Sequence, residues 1–547
     1  MTSKAWLQSY GQVPSEIDPD RYPSVTFLME QAMRTYASRT AFHSFAAQLS
    51  YGQMDELSAA FCAFLQNKLG VQKGDRVAVM MPNLAAFPVA FLGIIRAGAI
   101  LVSVNPMYTP RELQHQLQDA GCKTMVIFNG ATPVLAEIAQ AVQLAHVVTV
   151  KPGDALGLDL PSPPVDERLV GTIGMDQALE EGRLLQRRPV TVTGSDVLLL
   201  QYTGGTTGLS KGATLSHRNL VANTEQFKAI MGSAIHPGDE VLVTALPLYH
   251  IFALMVNFIT YFSVGAENWL VTDPRQMDSL VDTLKQARPT MFTGVNTLFA
   301  GLTQHPRLND IDWSRLRFAG GGGSAVLKVT SDRWQASTCQ IIREGYGLSE
   351  TGPVLTFNPF AIEQFSGTTG VPLPSTDIVL LDDDGAEVDL GQAGEVCAKG
   401  PQVMSGYWQQ PEVNAQAFTP DGYFKTGDIG VFTEQGFLKI VDRKKDMILV
   451  SGFNVFPNEV EAIASACPGV AECACIGVPD DKTGEAVWLY VVRSAGSSVS
   501  ENEVIAHCRS AMTAYKTPRH VVFVPALPKS TVGKILRRQL RDAEKTA

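Results

Sequence analysis

Apolar residues come in short blocks whose spacing switches between two periods. In "GDRVAVMMPN" (74–83), Val77, Val79 and Met81 lie two apart and are bounded by turn formers, which predicts a short buried strand. The apolar run 84–97 has helical length and stops at Gly98. "AILVSVNP" (99–106) predicts the next strand, and "TMVIF" (124–128) a third. Between them "TPRE" (109–112) reads as a helix start. Thr109 is the cap, Pro110 sits in the first turn, and Glu112 reaches back to the cap. Strand, helix, strand, helix, strand is the order of a mostly parallel sheet. Residues 152–190, rich in Pro, Gly and charge, predict loop. "VLLLQ" (197–201) is a further buried strand. Ser216 caps a helix with Leu220, Val221, Thr224, Phe227 and Met231 on one face. After about residue 366 the texture changes. "VLLDDDGAEV" and "FTEQGFLKIVDR" predict hairpins turning at Asp-Gly and Gln-Gly. The charge run "DRKKD" (442–446) then marks a domain boundary near Asp442, and no tandem repeat is present.

With 547 residues the chain exceeds one ordinary core, so two or more domains are expected. The net charge of -10 argues against nucleic acid as the main partner, so a phosphate-bearing ligand would need a local positive site. The 8 cysteines are scattered. Cys473 and Cys475 share a strand face near Cys467, but no CxxC pair or His cluster accompanies them, so they read as small buried hydrophobes rather than a metal site. "MTSKAWLQSYGQV" lacks the apolar core of a signal peptide, and a reducing, cytoplasmic location is expected. The apolar stretches 84–104 and 244–270 are broken by Arg96 and by His250, Asn257 and Glu267. They read as buried helix plus strand rather than membrane spans. Peripheral association with the inner face of the membrane stays open.

One stretch belongs to no core: "YTGGTTGLSKGA" (202–213). Its glycines allow backbone N–H groups close to a ligand, its hydroxyls add donors, and Lys211 adds a full positive charge, with no acidic residue among them. That set suits a triphosphate tail. It is not the usual P-loop, which ends Gly-Lys-Ser/Thr and opens a helix; here Ser210 precedes Lys211 and Gly212 follows.

From about residue 20 onward the chain resembles the adenylate-forming ligases, specifically the bacterial long-chain fatty acyl-CoA synthetases. The resemblance rests on "YTGGTTGLSKGA", "LPLYHIFAL" (246–254), "AGGGG" (319–323), "EGYGLSE" (344–350), "GYFKTGD" (422–428), "IVDRKKDMILVSGFNVFPNEVE" (440–461) and "LPKSTVGKILRR" (527–538), in this order. It implies an α/β fold. A large N-terminal domain of mixed and parallel sheets flanked by helices, with a β-barrel-like part, would precede a small mobile α+β C-terminal domain. The implied divisions are an adenylation domain over 1–441, a hinge over 442–445 and the mobile domain over 446–547.

The reaction implied by the resemblance has two steps. A carboxylate attacks the α-phosphorus of ATP to give acyl-AMP and pyrophosphate; coenzyme A thiolate then displaces AMP. Thr203, Gly204, Gly205, Thr206, Thr207, Gly208 and Lys211 would hold the β- and γ-phosphates. Glu350 would coordinate Mg²⁺, and Ser349, where threonine is commoner, would keep an α-phosphate contact. Gly321, Gly322 and Gly323 of "AGGGG" would let adenine approach the backbone, with Tyr346 and Gly347 beside it. Asp428 and Arg443 would bind the ribose hydroxyls, although both could otherwise be surface turn charges. Lys534, on the terminal domain, would reach the substrate carboxylate and the α-phosphate in the first step. The domain would then swing about Lys445, and the backbone near Gly452 would line the coenzyme A channel. Leu449 stands where some relatives carry a second lysine, so no side chain is assigned to the thioester step. His250 would gate or position groups between carboxylate and thiol. The apolar stretch 251–264 could wall an acyl tunnel or form core.

The expected activity is therefore long-chain fatty acid, ATP and CoA to acyl-CoA, AMP and pyrophosphate, in a protein expected to be a homodimer. Rival readings keep the chemistry on medium-chain or aryl acids, load a carrier protein instead of CoA, or follow a luciferase-type monooxygenation. A relative that only binds nucleotides is opposed by the joint presence of Lys211, Glu350, Asp428, Arg443 and Lys534.

Overall fold

The computed structural model describes residues 4–203, 210–451, 453–480, 482–530 and 533–544. The blocks read from periodicity assemble into a 7-stranded sheet. Its order is Ile173–Gly174, His146–Val150, Thr124–Phe128, Arg76–Met80, Ile100–Val104, Val197–Thr203 and Lys211–Ser216. All neighbours run parallel except the last pair, which forms a hairpin. The helix Ala86–Arg96 crosses between two parallel strands and is buried throughout, which is why its sequence is apolar on every face. Arg96 at its end is 4% exposed and is paired with Asp55, Glu30 and the Ser58 hydroxyl, so the buried charge is compensated. Helix Pro110–Ala120 carries the capping box expected from Thr109 and Glu112 and ends at left-handed Gly121.

The expected loop over 152–190 is corrected in part. It contains the short strand Ile173–Gly174 and the helix Met175–Arg183. Met175, Ala178, Leu179 and Gly182 recur at helical spacing and are buried. At Gly182 a Cβ would stand 2.1 Å from the Ala60 carbonyl oxygen, so the helix lies closely against helix Tyr51–Asn67. Charges between the apolar positions hid this face.

A second, 9-stranded sheet runs Val371–Pro372, Val354–Phe357, Ile342–Gly347, Phe318–Gly321, Met291–Gly294, Val241–Thr244, Glu267–Leu270, Thr40–Ser44, Ala47–Ser50. Its centre is parallel and its ends are antiparallel. Against it lies Ala253–Thr260, wound as a π-helix and wholly buried. Phe258 from this segment and Phe262 from the following turn Tyr261–Ser263 pack on Phe42, and Phe258 also on Phe91. Asn257, its polar exception, bonds to Thr244, Thr293 and Asn268.

The β-barrel-like part takes the form of a 4-stranded antiparallel sheet of Asp377–Leu381, Gly394–Lys399, Phe424–Phe432 and Leu438–Arg443. Beyond it, Phe453–Val455, Ile448–Val450, Gly484–Arg493 and Val470–Asp480 form a sheet with His520–Phe523 parallel to Gly484–Arg493. Helices Pro457–Ala464, Glu501–Ala511 and Arg537–Glu544 accompany it. Cys467, Cys473, Cys475 and Cys508 pack in the separate core of this unit with Val460, Val487 and Leu489. The last strand of the 4-stranded sheet ends at Arg443, and the next strand begins at Ile448. Among the described residues no helix is long and apolar enough to cross a membrane.

Candidate active site

A cavity of about 2030 Å³ opens where the parallel strands of both large sheets end. Ser103, Thr203, Thr293, Gly321 and Tyr346 line it, each at or near the carboxyl end of its strand, the usual place for ligands in open α/β sheets. Thr203 and Lys211, which flank the glycine-rich stretch in sequence, pair with one another in a hairpin. Gly204, Gly205, Thr206, Thr207 and Gly208 lie outside the described residues, as does Gly452. Thr203, Ser210 and Lys211 all reach the cavity wall.

Glu350 follows Ser349 in a single turn, Ser349–Thr351, after the strand Ile342–Gly347. Its carboxylate is 7% exposed. Its Oε1 accepts from the Tyr407 hydroxyl at 2.8 Å and from the Thr203 hydroxyl at 3.5 Å. Burial pushes its pKa up, as befits a carboxylate short of compensating positive charge. The Lys211 ammonium lies 5.4 Å from the centre of the Tyr407 ring, so Tyr407 touches both the acid and the cation.

Tyr346, Asp428 and Arg443 form one group. Asp428 and Arg443 are direct partners across two strands, with Arg443 Nε 3.6 Å from Asp428 Oδ1. Tyr346 donates its hydroxyl to Asp428 Oδ2 at 2.6 Å, and burial beside that carboxylate raises the phenol well above its ordinary pKa. Glycines beside Tyr346 let neighbouring segments pack closely. At Gly347 a Cβ would stand 1.8 Å from the Pro353 oxygen; at Gly321 it would stand 2.5 Å from Val326. Gly322 packs toward Phe252, and Gly323 adopts φ +75°.

Lys534 enters the same cavity from the terminal unit. Burial, and secondarily Arg443, lower its pKa to about 7. The loop carrying it touches the large unit through Gly533, whose carbonyl accepts from the Thr297 hydroxyl at 3.3 Å. Lys445 also borders the cavity, and burial lowers its pKa to about 8. His250 is held near 4 by burial and by the nearby Lys534 charge, so its imidazole is neutral. Its Nδ1 accepts from the Phe252 backbone N–H at 3.3 Å, which leaves the ring proton on Nε2.

A family model described as AMP-binding enzyme matches residues 29–408, and one described as AMP-binding enzyme C-terminal domain matches 459–534. The chain belongs to the AMP-binding enzyme family. This AMP-binding enzyme is 47% identical, over 98% of each chain, to a protein of Salmonella typhimurium (strain LT2) named long-chain-fatty-acid–CoA ligase. It is 46% identical to the protein of that name from Yersinia pestis, over 99% of this chain and 98% of the other. The crystal structure of ATP-bound MatB from Rhodopseudomonas palustris matches it with a TM-score of 0.82 at 30% identity, covering 95% of this chain and 99% of that one.

Of the site residues named from sequence, the AMP-binding enzyme brings Thr203, Lys211, His250, Gly321, Gly322, Gly323, Tyr346, Gly347, Ser349, Glu350, Asp428, Arg443, Lys445 and Lys534 to one cavity. Sequence reading missed Tyr407, Thr297 and Glu344. Tyr407 lies 57 residues from Glu350, with no spacing to link them. Glu344 sits two residues before Tyr346 on the same strand face, and burial pushes its pKa up to about 8. In the stretch 251–264, Ile251, Phe252 and Val256 border the cavity, while Phe258 and Phe262 are core.

Proposed function

We propose that this protein is a long-chain fatty acid–CoA ligase that works through an acyl-AMP intermediate. The observation that carries the reading is the entry of Lys534, from a separately cored unit, into a cavity already bordered by Lys211, Glu350, Asp428 and Arg443. The long-chain assignment is supported by the relatives from Salmonella typhimurium and Yersinia pestis, which match along nearly their whole length and bear that name.

In the first step the fatty acid carboxylate attacks the α-phosphorus of ATP. Charge develops on phosphate oxygens, so the protein acts by position and electrostatics. Thr203, Lys211 and the glycine-rich stretch 204–208 bind the β- and γ-phosphates. Tyr346 offers a face to adenine while Gly321, Gly322, Gly323 and Gly347 admit it, and Ser349 meets the α-phosphate. Asp428 and Arg443 hold the ribose. Protonated Lys534 bridges the carboxylate and the α-phosphate. Glu350 fits a Mg²⁺ ligand: it is a hard oxygen donor, buried at the cavity wall beside the Thr203 hydroxyl. The cation would neutralise phosphate charge.

In the second step the thiolate of coenzyme A attacks the acyl carbon and AMP leaves. Lys534 has no part in it, so the terminal domain (446–547) turns away from the adenylation domain (1–441) about the hinge 442–445, with Lys445 taking the dihedral change. The backbone near Gly452 then lines the thiol path. Neutral His250 positions groups between acyl carbon and thiol.

The test is AMP release with palmitate, octanoate and 4-coumarate, each with and without CoA. Palmitate with CoA is expected to turn over fastest. Preference for coumarate, or a need for a carrier protein in place of CoA, contradicts the reading.

A further inference from the structure

Arg537 starts the last helix, Arg537–Glu544, directly after the Lys534 loop. That loop is tied to itself: Ser530 N–H donates to the Lys534 carbonyl at 2.7 Å, Lys534 N–H to Ser530 Oγ at 3.1 Å, and Leu536 N–H to the Pro528 carbonyl at 2.8 Å. The guanidinium of Arg537 is set among three carboxylates. Its Nε and Nη2 engage both oxygens of Glu461 at 3.0 and 2.8 Å, and Nη2 also donates to Asn458 Oδ1 at 2.5 Å. Its Nη1 lies 3.6 Å from Asp442 Oδ1 and 3.7 Å from Asp446 Oδ2. Arg541 holds the other oxygen of Asp446 at 2.6 Å.

Asp442 is the member that does not belong to the terminal unit. It lies in Leu438–Arg443, the last strand of the 4-stranded sheet, and is 1% exposed. Its Oδ2 accepts from the Asn458 backbone N–H at 2.8 Å, and the Asn458 side chain donates to the Val441 carbonyl at 3.2 Å. Asp446, Asn458, Glu461 and Arg537 all follow Lys445 in the chain, whereas Val441 and Asp442 precede it. A turn about Lys445 therefore separates the contacts of Asp442 and leaves the others intact.

We infer that Asp442 and Arg537 form a buried ion-pair latch that holds Lys534 in the cavity for the first half-reaction and parts when the terminal domain turns. Both border the cavity, and we assign them as positioning residues that act through Lys534. The inference rests on the two-pose reading of the proposed function. A carboxylate this deeply buried is costly without its partner, so removing either charge disfavours the closed pose. Burial pushes the Asp442 pKa up to about 6 against the pull of Arg537, which fits incomplete compensation.

The test measures both half-reactions of the full chain: palmitate-dependent exchange of pyrophosphate into ATP, and palmitoyl-CoA formation from supplied palmitoyl-AMP. Asp442→Asn and Arg537→Gln are each expected to lower exchange by about tenfold or more while thioester formation stays within about twofold. The double variant should be no worse than the worse single one, because the two act as one unit. Arg537→Lys, which keeps the charge without the fork, should restore part of the exchange. If Arg537→Gln fails to fold, Asp442→Asn, which leaves the Arg537–Glu461 pair untouched, carries the test alone. Equal loss of both halves, unchanged exchange, or effects that multiply in the double variant would overturn the latch. A wild-type protein that shows no palmitate-dependent exchange would instead overturn the proposed function.

Discussion

The carbonyl of Gly533 accepts a hydrogen bond from the Thr297 hydroxyl at 3.3 Å, so the residue before Lys534 rests on the large unit. Gly533 has φ +76°, and a Cβ there would lie 2.7 Å from Thr297 Oγ1 and 3.1 Å from Val295 Cγ2. Gly533→Ala therefore meets both an unfavourable backbone and a clash. Acyl-AMP formation should fall by about tenfold or more, with thioester formation from supplied acyl-AMP largely kept. Comparing the two half-reactions checks this; unaltered adenylation would mean that the loop docks elsewhere in the reacting enzyme.

Lys534→Ala should abolish acyl-AMP formation and leave the second half-reaction largely intact. Single-turnover assays of each half decide it, and parallel loss of both would contradict separate poses.

Lys534 also gives a pH signature. Its ammonium is needed, and its pKa in the ligand-free protein is about 7. kcat/KM for ATP in the adenylation half should therefore decline as pH rises above about 7. Bound triphosphate favours the ammonium, so the limb in kcat should lie higher. Stability follows the same shift with a definite sign. The unfolded chain binds the proton more tightly, so the cost of the buried lysine is complete below about 7 and disappears as pH rises from there toward the ordinary lysine value of 10.5. Lys534→Met should raise Tm at pH 6 more than at pH 10, as read by calorimetry.

Much of this arrangement is legible in the chain, for unequal reasons. The strands Arg76–Met80, Ile100–Val104, Thr124–Phe128 and Val197–Thr203 are buried on both faces, so each appears as a compact apolar block. Helix Pro110–Ala120 declares its start through Thr109 and Glu112. Helix Met175–Arg183 does not, since acids and arginine crowd its narrow buried stripe. In the site, residues inside contiguous motifs could be named, whereas Tyr407 and Thr297 act only through contacts made by folding. Asp442 was visible as a boundary charge, but its burial against Arg537 comes from a meeting of elements distant in sequence.

Tyr407→Phe removes the nearer hydroxyl partner of Glu350 and leaves the ring beside Lys211 in place. A lost hydrogen bond to a buried carboxylate is worth about 1.5–3 kcal/mol. The concentration of Mg²⁺ giving half-maximal adenylation should shift, with the fatty acid KM unchanged. A shift confined to the fatty acid would place Tyr407 elsewhere in the mechanism.

His250 is neutral across the working range, with a pKa near 4 set mainly by burial. The thioester half-reaction should therefore lack an acid limb near pH 6.5, and His250→Asn should slow it without creating one. A limb near 6.5 that vanishes in His250→Asn would instead mark a titrating base.

The most direct measurement follows the carboxylate oxygens. Palmitate labelled with ¹⁸O in both oxygens is turned over with ATP and CoA, and the products are weighed by mass spectrometry. Attack on the α-phosphorus followed by thiolysis places one labelled oxygen in AMP and none in pyrophosphate. Label in inorganic phosphate, or unlabelled AMP, would contradict an acyl-AMP intermediate.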